Sequence, residues 1–189
     1  MFQSKITEKT KDIHWYPMRV TYGRQMILKE HLEKDKIEYF LPMRYDIVDH
    51  NGERSRELVP AVTNLIFIHS SQDELTHMKM YKRYYEPLRY IVRESVFESK
   101  TEIITIPDSS MENFMKVAKE PNDNVEYLET GDYVTNALGK KVTVIKGPFA
   151  GVKGVIKRIK RNKRVVVQLE GIIAAAISFV PSDNLLFEN

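Results

Sequence analysis

Five histidines, His14, His31, His50, His69 and His77, are the side chains best suited to acid–base or metal chemistry, and no two stand three or four positions apart. The H-x-x-x-H and H-E-x-x-H spacings that put two imidazoles on one helical face are therefore missing, as are G-x-S-x-G and any acidic cluster for a metal. The chain has no cysteine, which excludes disulfides, thiol nucleophiles and cysteine-ligated zinc. No catalytic residue, metal or cofactor is expected, and the chain does not read as an enzyme. The chemistry that remains is charge. The formal net charge is only +3, yet residues 140–164 hold Lys140, Lys141, Lys146, Lys153, Lys157, Arg158, Lys160, Arg161, Lys163 and Arg164 with no Asp or Glu. Such a block attracts an anionic polymer, or it is simply the solvated face of a small β module.

Inside that block runs "VTVIKGPFAGVKGVIKRI", residues 142–159. Gly147-Pro148 sets a sharp reversal, Phe149 can fold back over the end of a barrel, and Gly151 and Gly154 permit close backbone approach or a bulge. No G-x-x-x-x-G-K-[ST] is present and no helix follows to aim amide donors at phosphate, so the glycines shape a turn rather than cradle a nucleotide.

The elements that must carry these residues punctuate themselves. "HWYPMRV" reads as a strand, with Pro17 arguing for an edge or bulged position. "GRQMILKEHLEKD" places Ile27, Leu28 and Leu32 at helical spacing. Two β-rich runs flank "DHNGE", where Asn51-Gly52 predicts a hairpin. Ser71-x-x-Glu74 opens a second helix bearing Leu75, Met78 and Tyr81, "PLRYIVRE" is a strand, and a Ser109-x-x-Glu112 box opens a third helix with Met111, Phe114, Met115 and Ala118 on one face. The order strand-helix-strand-strand-helix-strand is the split βαβ, or ferredoxin-like, pattern: an α+β fold with an antiparallel sheet. "KEPNDN" then sheds hydrophobic residues, so a first domain over 12–118 and a linker over 119–126 are expected. Residues 127–189 carry short β runs, "YVTNA", "KKVTVIK", "GVIKRI", "RVVVQL" and "IIAAAISFV", consistent with a small closed barrel. No run is apolar enough to span a membrane, and "MFQSKITEKTKDIHW" lacks the apolar core of a signal peptide, so a cytoplasmic protein with no membrane partner is expected.

"GKKVTVIKGPFAGVKGVIKRI", followed by "RVVVQLEG" and "ISFVPSDNL", resembles the KOW domain, an SH3-like barrel. "WYPMRVTYGRQMILKEHLEKDKIEYFLPM", "PAVTNLIFI", "PLRYIVR" and "IPDSSMENFM" resemble, in order and spacing, the N-terminal domain of NusG-type transcription elongation factors. The resemblance covers about residues 12–188. It implies a monomer that binds the clamp helices of the largest RNA polymerase subunit, suppresses pausing or termination, and recruits a second partner, such as a ribosomal protein or Rho, through its KOW domain. The polymerase contact would fall on Trp15, Tyr16, Leu65, Phe67 and Ile91. The run 65–68 is apolar on both faces, which fits either a partner surface or a fully buried strand. Lys146, Gly147, Pro148, Phe149, Gly151 and Gly154 would form the turn and partner surface of the barrel.

Two departures stand out: Thr63-Asn64-Leu65 replaces the family's Pro-Gly-Tyr or Pro-Asn-Tyr, so the aromatic is missing, and "GIIAAAISFV" is more apolar than the usual last strand. They point to a specialised paralogue of the RfaH or UpxY kind, acting on selected operons by reading the non-template DNA strand or nascent RNA. Its reading surface would be Arg19, Arg24 and Gln25 with Lys79, Lys82 and Arg83, and Tyr22 or Tyr81 could stack a base. Refolding of the second domain into helices is opposed by Gly147-Pro148, Gly151 and Gly154, since Pro costs about 3 kcal/mol and Gly about 1 kcal/mol inside a helix. The rival expectation is a ribosome- or RNA-associated KOW protein that does not act on RNA polymerase.

Overall fold

The computed structural model describes residues 12–94, 100–119, 121–129, 139–159, 161–169 and 171–188. In chain order the first half carries β1 (Ile13–Val20), α1 (Gln25–Lys34), β2 (Tyr39–Phe40), β3 (Met43–His50), β4 (Glu53–Pro60), β5 (Leu65–Ser71), α2 (Gln72–Tyr81), β6 (Leu88–Tyr90), β7 (Val92–Glu94), β8 (Thr101–Ile103) and α3 (Asp108–Ala118). The second half carries β9 (Val125–Glu129), β10 (Lys141–Val144), β11 (Lys153–Ile159), β12 (Asn162–Leu169), β13 (Ile173–Ile177) and β14 (Leu185–Phe187).

The first sheet has the order β2-β5-β1-β6 and is antiparallel throughout. The α1 crossover skips β5 and the α2 crossover skips β1, which is the split βαβ arrangement. Period-two alternation divides its residues between two cores. Tyr16, Met18, Val20, Ile66 and Ile68 pack with Leu28, Leu32, Leu75 and Met78 under α1 and α2. Trp15, Leu65 and Phe67 face the other way, toward Met111, Phe114, Val117 and Ala118 of α3.

Several local expectations are refined. Pro17 lies in an interior strand, yet β6 pairs with β1 only from Met18 onward, so proline's missing N–H deprives no ladder there. The α1 core face is Gln25, Leu28 and Leu32, while Ile27 is exposed, being about 100° away from Leu28 around the axis. Tyr81 is exposed rather than packed with Leu75 and Met78: steps of three fall about 60° short of a full turn each, and the third residue leaves the stripe. Ser71 does cap α2, its Oγ accepting the Glu74 N–H at 3.3 Å. Helix α3 starts without a side-chain cap: the Pro107 carbonyl accepts from the Ser110 and Met111 amides, and Ser109 lies within the first turn. "PLRYIVRE" breaks at Ile91 into β6, which joins β1, and β7, which pairs with β8. The Asn51-Gly52 hairpin forms as expected, both residues having positive φ, and joins β3 to β4 in a separate two-stranded ribbon.

The second sheet runs β14-β10-β11-β12-β13-β9. Strand β9 pairs with β13 along its whole length, so regular structure begins inside the stretch expected as linker. "YVTNA" lies outside the described residues. Ala174, Ala175 and Ala176 are fully buried in β13, which has a neighbour on each edge and an apolar core on each face. The same buried cluster that holds Phe67 and Phe114 continues through Val142, Val165 and Ile173, and α3 packs on β1 as well as on β12 and β13. The two halves are thus joined through one helix.

Candidate interaction surfaces

Three groups of residues are candidates, and α1, β5 and the β10–β11 turn position them. Of the five apolar residues expected at a polymerase contact, Trp15, Tyr16, Leu65 and Phe67 are buried and Ile91 is half-buried. Trp15, Leu65, Phe67 and Ile91 share the α3 side, whereas Tyr16 sits under α1 and α2. Phe67 packs between Phe40 and Phe114, with ring centroids 6.3 and 6.1 Å away. Phe40, Ala61, Ile91, Ile104 and Met115 are the partly exposed rim of this cluster. His69, which the sequence did not single out for this face, stacks flat on Trp15 at 4.7 Å and is held by Glu38 at 2.6 Å. Asn113 fastens α3 to the second half: its Nδ2 donates to the Lys153 carbonyl at 2.7 Å and its Oδ1 accepts the Lys153 amide at 2.9 Å. Arg56 of the β4 ribbon adds an ion pair to Asp123 at 2.9 Å, just before β9.

The basic group divides. Arg24 and Arg83 are exposed, Arg24 lying 5.6 Å from the Tyr22 ring. Tyr22 is 85% exposed at φ 62°, a left-handed conformation that strains any residue with a Cβ. Tyr84 stacks on His31 at 3.7 Å and remains largely exposed, an aromatic plate the sequence reading missed because nothing in spacing ties residue 84 to residue 31. Lys82 bonds Asp35 at 2.7 Å, joining the ends of α2 and α1, and hydrogen bonds from Lys82 and Tyr85 hold the Asp35 carboxyl below its usual range. Lys79 lies over the Tyr90 ring at 4.2 Å, where burial, with the Arg89 charge adding, lowers its ammonium pKa. Arg19 is exposed opposite Arg89 on the sheet. Gln25 is different: it is buried, and its amide donates to the Val62 and Leu65 carbonyls at 2.9 and 3.2 Å. That geometry ties α1 to the β4–β5 turn and leaves no amide edge for a base.

At the glycine turn, Gly147 and Gly151 have φ of 88° and 83°, and the Gly151 amide donates to the Val144 carbonyl at 2.7 Å. Gly154 serves another purpose, since a Cβ there would stand 2.7 Å from the Val166 carbonyl oxygen. Phe149 packs on the barrel core, while Lys146 and Pro148 are exposed.

The family model described as "Transcription termination factor nusG" matches residues 13–115, more than half of the chain. The chain belongs to the NusG family. A second model, the KOW motif, matches residues 138–168 and covers the glycine turn and the β11–β12 hairpin. A solved structure described as "Domain interaction in Thermotoga maritima NusG" is similar at 17% identity and a TM-score of 0.46, over 92% of this chain and 96% of that one. No curated protein sequence matches. Membership makes the chain a transcription-elongation-factor-like protein of a non-enzymatic family. Among the described residues, no helix is long and apolar enough to cross a membrane.

Proposed function

We propose that this NusG-family protein rides on RNA polymerase through the α3-side face of its first sheet, suppresses pausing or termination on selected operons, and recruits a second factor through its KOW barrel. The observation that carries the reading is the succession of both family modules on one chain, at residues 13–115 and 138–168. The clamp contact is assigned to Trp15, Leu65, Phe67 and Ile91. Because the first three are buried in a cluster continuous with the barrel, polymerase binding requires α3 and the barrel to separate enough to uncover that face, starting from the half-buried Phe40, Ile91 and Met115 rim. Asn113 is the polar latch.

Nucleic acid, as non-template DNA or nascent RNA, would meet the α1–α2 face. Tyr22 and the Tyr84–His31 pair are stacking plates, while Arg24 and Arg83 neutralise phosphates and Lys82 stays paired with Asp35. A single-stranded oligonucleotide titration tests this: Arg83→Ala should weaken binding and lower the slope of log K against log salt by about 0.7. An unchanged slope would remove Arg83 from the interface. The run 140–164 without an acid keeps a second reading in view, RNA binding by the barrel without polymerase. Charge reversal at Arg158 and Arg161 separates the two. It abolishes oligonucleotide binding under the second reading and leaves polymerase binding intact under the first.

A further inference from the structure

Away from the glycine turn, β11, β12 and β14 enclose a cavity of about 160 Å³ walled by Ile156, Val165, Val180, Leu185 and Phe187. Its polar lining is Lys163, Arg164 and Ser182. The Arg164 side chain is 11% exposed and pairs with Glu126, yet its Nε is buried without a hydrogen-bond partner. That side chain turns to the opposite face of β12 from Lys163 and Val165, toward Glu126 of β9, so Lys163 is the strand's cation on the cavity side. Phe187 in the lining is 49% exposed, and the Lys140 ammonium lies 5.9 Å from its ring centre. Between residues 139 and 169 there is no acidic residue, the flanking acids being Asp132 and Glu170; Asp183 follows Ser182, and Glu188 bonds the Thr143 hydroxyl.

Apolar walls beneath a cationic rim fit an apolar side chain flanked by carboxylates. A nucleobase would need edge-reading donors and acceptors, and the apolar walls, Phe187 included, supply none. We infer that this cavity is a docking site for an acidic protein segment that buries one leucine or phenylalanine between aspartates and glutamates. The inference deepens the recruiting role proposed for the barrel and is independent of the polymerase contact, which a separate binding measurement reports.

The test is a nuclear magnetic resonance titration of the labelled full chain with a synthetic peptide of about ten residues, one central leucine among Asp and Glu. The expected result is shifts concentrated at Val180, Ser182, Leu185 and Phe187. Ser182→Trp, which fills the cavity from its exposed rim, should abolish them, and Lys163→Glu, an exposed change that spares the core, should weaken binding about tenfold. The proposal is overturned if a peptide with serine in place of leucine binds equally well, if Lys163→Glu has no effect, or if shifts fall elsewhere. Displacement of the peptide by oligothymidylate from the same residues would instead assign the cavity to nucleic acid.

Discussion

Tyr22 is the residue at which folding and function are most visibly opposed. An L-residue at φ 62° carries a cost of about 1–2 kcal/mol that glycine would not, and this one is 85% exposed, so packing gives no reason to keep it. Tyr22→Gly should therefore raise stability by about 1 kcal/mol in urea unfolding. If the ring stacks a base, the same change should weaken oligonucleotide binding by about 1 kcal/mol or more. Gln25 should behave in the opposite way. Gln25→Ala leaves two carbonyls beneath α1 unpaired and should cost about 1–3 kcal/mol, with oligonucleotide affinity preserved once the fold is held. A loss of affinity without a loss of stability would restore Gln25 as a reader. Residue types alone do not separate Arg24 from Gln25 next to it, since both are polar at a helix start; only the position of the Val62 and Leu65 carbonyls does.

Elements were the most legible scale. Binary patterning and turn chemistry mark α1, the β3–β4 hairpin, α2 and the split βαβ order, because each is decided by residues close in sequence: Asn51-Gly52, the Ser71 cap, Leu28 with Leu32. The pairing of β9 with β13 was not legible. It joins Val125–Glu129 to a strand some forty-five residues later, and nothing in "VEYLE" distinguishes a linker from an added strand. The glycines of the barrel are legible as a turn, while their division of labour comes from contacts. Gly151→Ala should cost about 1–2 kcal/mol through its positive φ. Gly154→Ala should cost about 1–3 kcal/mol by forcing β11 off the Val166 carbonyl. Tyr127, on β9, gives the pH response of the barrel. Burial pushes its phenol from 10.0 up to about 12, so the folded state favours the neutral ring. That contribution is complete below pH 10 and is lost as the pH rises through about 12. A spectrophotometric titration should show Tyr127 ionising late together with Tyr16, Tyr39, Tyr85 and Tyr90, Tyr127→Phe should remove one tyrosine from that late group, and melting temperature should fall over the same interval. Ionisation of every tyrosine near pH 10 would contradict the burial of Tyr127.

For the whole molecule, what matters is that the apolar face assigned to polymerase belongs to the same buried cluster as the barrel core, with α3 between them. The sequence left two options open for Leu65 and Phe67, partner surface or core, because an apolar run cannot say which of its faces is covered by its own chain. The structure covers both, one by α1 and α2 and the other by α3. A polymerase contact through that face is then a competition between two partners for one surface, and weakening the internal partner strengthens the external one. Asn113→Ala removes two exposed hydrogen bonds to Lys153, together worth about 1 kcal/mol, which corresponds to roughly fivefold in an equilibrium constant. The direct measurement is the affinity of the full chain for core RNA polymerase, with wild type and Asn113→Ala compared side by side. Wild type should bind, and the variant should bind about fivefold more tightly; no binding by either would rule out a polymerase contact through this face.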